Sequence, residues 1–244
     1  METIHCIGDS HVSFFSGTDR LTPQWPEPSG TGDRLPFFRT YRVGPALAWS
    51  LGRDGTRMRG REKVEEVLRK AVPPGAPVLF LFGEIDCRCH LLRQAETQGQ
   101  TKAALAAECA DAYFDAVLEL AGTHPLLFCS LPASTQKSLE GEGEEFPTVG
   151  TCLERNAVIR AFHARLSGRC AEKGIALVDF FDSLVDAEGL TLPGYFRDEI
   201  HLSQRAMPFA LEALRRAWPA FDGAVPWCYR VKVALSRLTG MKVR

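Results

Sequence analysis

The sequence predicts an α/β fold, a three-layer α/β/α sandwich on a five-stranded parallel sheet. Short and continuously apolar segments recur along the chain, helical patterns separate them, and polar residues follow directly after them. Continuous rather than alternating apolar runs are typical of parallel strands covered on both faces. The five predicted strands are Ile4–Ile7, Phe37–Val43, Val78–Phe82, Leu126–Leu131 and Ile175–Phe180.

Amphipathic helices are predicted between the strands and after the last of them. In the first one, Val64, Val67 and Leu68 fall on one stripe, and the third ends at Gly174, a typical helix terminator. Strands alternating with helices of this length indicate βαβ units. The predicted helices are Arg61–Val72, Thr101–Ala121, Thr151–Lys173 and Ser203–Trp218.

Length and composition indicate one soluble globular domain with a short extension. The chain has 244 residues, 45% hydrophobic and 24% charged, and its net charge is −1. That balance gives no field to attract nucleic acid, and no apolar run reaches the ~18 residues of a membrane span. We expect a domain over residues 1–222, a basic extension over 223–244, and a cytoplasmic location because no export signal is evident.

Two long polar loops interrupt the regular pattern. Ser16–Arg34 is rich in Gly, Pro, Ser and Thr, and Lys137–Gly150 carries four glutamates. Loops of this length are either lids and binding loops or simply solvated segments. The eight cysteines are expected to be reduced thiols, since several of them lie in apolar runs and no secretion signal is present.

Polar residues of types that can take part in catalysis follow several predicted strands. Asp9, Ser10 and His11 follow the first strand, Gly44 the second, and Gly83 to His90 the third. The segment from Asp198 to His201 lies between the fifth strand and the last helix. Because ligands of open parallel sheets bind at the carboxyl ends of the strands, we expect these residues to share one site.

The simplest chemistry for this set is nucleophilic catalysis. A serine hydroxyl needs a base, and that base needs an orienting carboxylate. Asp198 and His201, three residues apart, can supply both to Ser10. Backbone N–H groups at the helix start near Ser10 can face an oxyanion, and Gly44 lets backbone approach a substrate closely.

At these residues the sequence resembles the SGNH (GDSL-like) hydrolases. The similarity lies in four blocks, in order: Ile7-Gly8-Asp9-Ser10-His11, Gly44, Gly83-Glu84-Ile85-Asp86 and Asp198-Glu199-Ile200-His201. It implies a flavodoxin-like sandwich and a metal-free serine esterase or acyl-transfer mechanism without a cofactor. Ser10 would be the nucleophile, His201 the base and Asp198 its orienting acid. The backbone N–H groups of Ser10 and Gly44 would be oxyanion donors.

The third block departs from the family pattern. The family places an asparagine, its third oxyanion donor, where this chain has Ile85. Losing one such donor typically costs ~2.7–4 kcal/mol of transition-state stabilisation. Arg88 is the candidate substitute, as an oxyanion donor or a group that binds an anionic substrate. Gly83, Asp86 and His11 complete the expected oxyanion and substrate-binding set.

The expected substrate is a small-molecule or carbohydrate ester, and three other functions are left open. The same acyl-enzyme could transfer its acyl group to a carbohydrate, making the chain an O-acyltransferase. With Ile85 in the donor position, the chain could instead be a catalytically weak ligand-binding homologue. Asp9 and His11, with Asp86, His90 and His201, could form a two-metal phosphoesterase site. Cys87, Cys89 and His90 lack the second ligand pair that a structural zinc site needs.

Overall fold

The predicted fold class is confirmed by a five-stranded parallel sheet with helices on both sides. The computed structural model describes residues 2–27, 32–136 and 146–221. The strands lie in the order β2-β1-β3-β4-β5, and all four pairings are parallel. This is the flavodoxin-like order. The strands are β1 (Ile4–Gly8), β2 (Phe38–Arg42), β3 (Val78–Leu81), β4 (Leu126–Cys129) and β5 (Ala176–Val178).

Within the described residues, five α-helices accompany the sheet, four of them at the predicted places. They are α1 (Gly60–Ala71), α2 (Leu91–Gln98), α3 (Lys102–Ala121), α4 (Cys152–Lys173) and α5 (Met207–Ala217). Thr101 and Thr151 cap the N-termini of α3 and α4, and Gly174 ends α4 in the left-handed conformation. Sequence patterns therefore placed the ends of these long helices to within a residue or two.

The segment after β3 differs from the prediction. The sequence predicts no helix between the third strand and Thr101, but Asp86–His90 forms a π-helical turn that continues directly into α2. Its two cysteines, Cys87 and Cys89, are buried. The helical turn brings Glu84 and Arg88 together across four residues. As a result, this segment carries its polar side chains inward.

Ser203 also begins a helix, in two stages. Its side chain accepts a hydrogen bond from the backbone of Arg205 and starts a short 3-10 turn, Gln204–Ala206, which leads into α5. The 3-10 helix Ser10–Ser16 follows β1 in the same way, with the side chain of Asp9 as its cap. These two helix starts position the two ends of the candidate site.

Parts of the long loops and the basic extension lie outside the described residues. These are residues 28–31, 137–145 and 222–244, which include the four glutamates of the second loop. Within the described ranges, no helix is long and apolar enough to span a membrane. The seven cysteines described there are all buried free thiols.

Arg155 of α4 forms hydrogen bonds that connect the loop after β4 with the start of that helix. Its side chain is only 2% exposed. It donates to Ser134 Oγ at 2.7 Å, to the Thr135 carbonyl at 2.6 Å and to the Gly150 carbonyl at 2.5 Å. These bonds satisfy a buried guanidinium that would otherwise be costly.

We expect Arg155→Met to lower the free energy of unfolding by about 3 kcal/mol, because it removes several charge-assisted hydrogen bonds and leaves their acceptors buried. Arg160→Met is the matched control, since Arg160 on the same helix is about half exposed, pairs with the exposed Asp182 and lies over the Phe181 ring, without a buried hydrogen-bond network. Urea unfolding followed by circular dichroism measures both changes. Equal unfolding midpoints for the two variants would contradict the role assigned to Arg155.

Candidate active site

Ser10, His201 and Asp198 form a continuous hydrogen-bonded chain. His201 Nε2 lies 2.9 Å from Ser10 Oγ, and His201 Nδ1 lies 2.9 Å from Asp198 Oδ2. Both distances are within the normal hydrogen-bond range. Ser10 and His201, which are 191 residues apart in sequence, thus meet at the carboxyl edge of the sheet.

The sheet topology explains where Ser10 lies. β1 is central between β2 and β3, and Gly8 at its end pairs with Arg42 of β2 and Leu81 of β3. The chain turns immediately after Gly8, and Asp9 Oδ1 accepts the backbone N–H of His11 at 2.9 Å. This cap fixes the first turn of the helix, so that half-buried Ser10 stands at the strand end.

Asp198 stabilises the conformation of its own loop and also contacts the side chain of His201. Its Oδ1 accepts the backbone N–H groups of Ile200 at 2.9 Å and His201 at 2.7 Å. Arg197 Nε lies 3.1 Å from Asp198 Oδ2. Burial alone would raise the pKa of Asp198, but these backbone hydrogen bonds and the contact with His201 outweigh it and lower the pKa to about 2. Asp198 is therefore a carboxylate at neutral pH.

His201 is held in its neutral form at neutral pH. Burial, and next the charge of His11, lower its pKa to about 4, although Asp198 acts in the opposite direction. A neutral imidazole that donates from Nδ1 to Asp198 has a free acceptor at Nε2. That acceptor is the atom that faces Ser10 Oγ.

Gly44 and Gly83 occupy backbone conformations that favour glycine. Gly44 follows β2 with φ 98°, and a Cβ there would lie 3.0 Å from Gln24 Nε2. Gly83 follows β3 with φ 119°, and a Cβ there would lie 3.2 Å from Phe162 Cζ. Both positions therefore let the chain turn sharply at the sheet edge beside Ser10.

Asp86 organises the loop after β2. It is buried, and its carboxylate accepts the backbone N–H groups of Ala48 at 2.8 Å and Trp49 at 3.2 Å. Burial raises its pKa to about 6 in spite of these bonds. Both carboxylate oxygens are thus engaged with backbone rather than directed at a ligand, which differs from the expected substrate-binding role.

Arg88 requires a correction. It was expected to replace the missing oxyanion donor, but its guanidinium is buried and donates from Nε to Glu84 Oε1 at 2.6 Å and from Nη1 to the Phe146 carbonyl. Its charge is therefore committed to a carboxylate within the protein. Ile85 is buried and has no donor on its side chain.

His11 and Glu84 form a buried pair next to His201. His11 Nε2 lies 3.3 Å from Glu84 Oε2, and the rings of His11 and His201 are 5.1 Å apart between centroids. The sequence indicated that His11 would be in the site and that Glu84 would help to organise the segment after β3, but it did not indicate that the two residues pair. The four-residue spacing of Glu84 and Arg88 was the available signal, since such pairs meet on a helix.

The alternative metal centre has no counterpart in the described geometry. Within the part of the chain that the structure describes, no group of three or more His, Cys, Asp or Glu side chains is arranged to hold a metal ion. Of the residues considered for it, Asp86 contacts backbone amides and His201 contacts Ser10 and Asp198.

Comparison with solved structures found similar chains at low sequence identity. Three similar solved structures are an aryl esterase of M. smegmatis, a carbohydrate acetylesterase of Sinorhizobium meliloti and a G-D-S-L family member of Veillonella parvula. They are 18%, 16% and 18% identical, with TM-scores of 0.49, 0.47 and 0.46. They cover 89%, 92% and 89% of this chain, which covers 100%, 98% and 98% of theirs. No family profile and no curated protein matches the chain.

Two cavities lie near the candidate site. One of about 290 Å³ is lined mainly by apolar side chains that follow Gly44, including Pro45, Ala46 and Met58. The other, of about 320 Å³, adjoins Asp198 and is lined by polar groups that include Thr135, Gln136 and Arg197. The candidate site therefore has an apolar cavity and a polar cavity near it.

Proposed function

We propose that this protein is a serine ester hydrolase in which Ser10 is the nucleophile, His201 the general base and Asp198 the residue that orients it. The observation that carries this proposal is the unbroken chain of hydrogen bonds from Ser10 Oγ through His201 to Asp198. Geometry of this kind is the requirement for activating a hydroxyl at neutral pH.

In the first half of the reaction, Ser10 Oγ attacks the acyl carbon of the ester while His201 Nε2 takes the hydroxyl proton. The tetrahedral intermediate then collapses, the bond to the alcohol oxygen breaks, and His201 returns the proton to the departing alcohol. In the second half, water repeats these steps on the acyl-enzyme and releases the acid. The backbone N–H groups of Ser10 and Gly44 are the proposed donors to the oxyanion.

The polar cavity beside Asp198 supports an ester of a polar alcohol, such as an acetylated carbohydrate. Its hydroxyl, amide and guanidinium groups can exchange hydrogen bonds with a sugar. Asp198, which lines this cavity, also contacts His201. The polar lining therefore favours an ester whose alcohol portion is polar.

Steady-state hydrolysis assays test this function. We expect turnover of short p-nitrophenyl esters and of acetylated sugars, with the same rates before and after treatment with EDTA, because no step uses a metal. Bis-p-nitrophenyl phosphate, a phosphodiester, is the matched control and should remain intact. The proposal fails if the folded protein cleaves none of the carboxylic esters, or if EDTA removes the activity.

A further inference from the structure

His11 lies against the catalytic histidine, yet no step of the proposed reaction uses it. The rings of His11 and His201 are 5.1 Å apart between centroids and inclined by 38°. The side chain of His11 is only 4% exposed. A buried histidine at this distance acts on its neighbour through its charge, because little water is present to screen the interaction.

The ring of His11 belongs to a buried ionic cluster. Glu84 lies between two cationic side chains, with His11 Nε2 at 3.3 Å from its Oε2 and Arg88 Nε at 2.6 Å from its Oε1. All three side chains are at most 4% exposed. Since β1 precedes His11 and β3 precedes Glu84 and Arg88, two rigid strand ends hold the cluster in place.

The charges of this cluster follow from its geometry. Burial would raise the pKa of Glu84, but the hydrogen bond from His11 and the charge of Arg88 outweigh it and lower the pKa to about 2. Burial would lower the pKa of His11, but the hydrogen bond with Glu84 and the charge of Asp9 raise it above the ordinary value. Glu84 is thus an anion, and its charge favours the protonated form of His11.

We propose that His11, kept as an imidazolium by Glu84, is a positioning residue that holds His201 in its neutral, proton-accepting form. The inference rests on the proposed function, in which His201 is the general base. Two cations at this separation in a buried site repel each other, so the proton already on His11 disfavours a second one on His201.

Other charged groups around His201 do not replace this effect. On its own loop, Asp198 favours protonation of His201 and Arg197 disfavours it. Arg197 is itself in contact with Asp198, with its Nε 3.1 Å from the carboxylate, so much of its charge is balanced. Across the site, His11 is the cation whose ring packs on that of His201.

The groups around His11 maintain its charge over the acid range. Besides Glu84 and Arg88, His11 faces Asp9, and Asp86 lies close enough to Asp9 to raise its pKa. Burial raises the pKa of both aspartates to about 6, so they lose their charges in weak acid. Glu84 stays ionised down to about pH 2 and therefore remains the counterion of His11 throughout that range.

The functional consequence is a wider working range. An ordinary histidine base is half protonated near pH 6.5 and fails below it. The pKa of His201 is about 4, so the base stays available in weakly acidic medium. Because burial is the larger cause of that low value, removal of His11 should restore only part of the difference.

Titration of the histidine rings by NMR tests the inference without relying on activity. In the wild-type protein, His11 should titrate above 6.5 and His201 well below it. In His11→Gln, the pKa of His201 should rise by about one unit. His124→Gln is the matched control, because His124 contacts the Ala76 carbonyl at the amino edge of the sheet and should leave His201 unchanged.

Glu84→Gln provides a second variant. It leaves His11 in place but removes its counterion, so His11 should become neutral at pH 7 and the pKa of His201 should again rise. The inference is overturned if the pKa of His201 stays the same in the folded variants, or if wild-type His11 is neutral at pH 7. The latter measurement decides the matter even where a variant fails to fold.

The pH profile of kcat/KM separates this inference from the proposed function. In His11→Gln, the acid limb of this profile should shift to higher pH by the same amount as the pKa of His201 that NMR measures. If the NMR shift is present but wild-type protein cleaves no ester, the function fails and the electrostatic coupling stands. If esters are cleaved but neither the limb nor the NMR value moves, the function stands and the role of His11 is refuted.

Discussion

Ser10→Ala is expected to reduce ester turnover by at least about 10⁴-fold, because it removes the atom that forms the acyl-enzyme. Residual rate over water would come from the oxyanion donors and substrate binding alone. The substitution deletes one hydroxyl from a half-buried side chain, so the fold should persist. Initial rates with p-nitrophenyl acetate measure the loss.

Ser167→Ala is the matched control for this experiment. Ser167 lies on the exposed face of α4, and its hydroxyl should be irrelevant to the reaction. Circular dichroism of both variants verifies that they fold alike. If Ser10→Ala retained wild-type turnover, the nucleophile would have to be sought elsewhere in the molecule.

Asp198→Asn is expected to lower kcat by about 10⁴-fold, because it reverses the hydrogen bond to His201. The carboxylate accepts the proton on Nδ1 and leaves Nε2 free to take the serine proton. An amide that donates to Nδ1 would instead place the imidazole proton on Nε2, where it blocks the reaction. The loss should appear in kcat, since Ser10 and the oxyanion donors remain.

Asp182→Asn makes the same chemical change at an exposed position. Asp182 pairs with Arg160 at the surface, and such pairs contribute little to stability. Its turnover should equal that of the wild type. A loss in Asp198→Asn no larger than that in Asp182→Asn would show that His201 needs no orienting acid.

Much of the fold could be predicted because burial leaves a simple pattern. Strands covered on both faces read as continuous apolar runs, and α3 and α4 carry threonine caps at their first turns. The π-helical turn Asp86–His90 and α2 were missed, because the turn buries the charged residues Asp86 and Arg88 and the eight-residue α2 has only a short apolar stripe. Their helix forms through tertiary contacts that one sequence window does not contain.

The candidate triad could be predicted because each of its members lies close to the end of a strand or the start of a helix. Ser10 follows β1, and Asp198 and His201 precede α5. The error at Arg88 has a different cause. Whether a guanidinium reaches a substrate or a carboxylate depends on the rotation of its helix, and the turn after β3 directs Arg88 toward Glu84.

The pairing of Glu84 with His11, and the proposed effect of His11 on His201, could not be predicted either, because they too depend on the tertiary arrangement of side chains. Residues on two separate strand ends determine them, and their effect on His201 depends on a distance between rings. Sequence spacing indicates which residues share a sheet edge, but it does not indicate which of them pair with each other.

Covalent labelling with a fluorophosphonate is the most direct measurement of the mechanism. Reaction should add a single probe mass to the wild-type protein, and peptide mapping should place it on Ser10. His201→Ala should label far more slowly, because the hydroxyl would lack its base. A folded wild-type protein that takes up no probe, or takes it up on another residue, would contradict the assignment of Ser10 as the nucleophile.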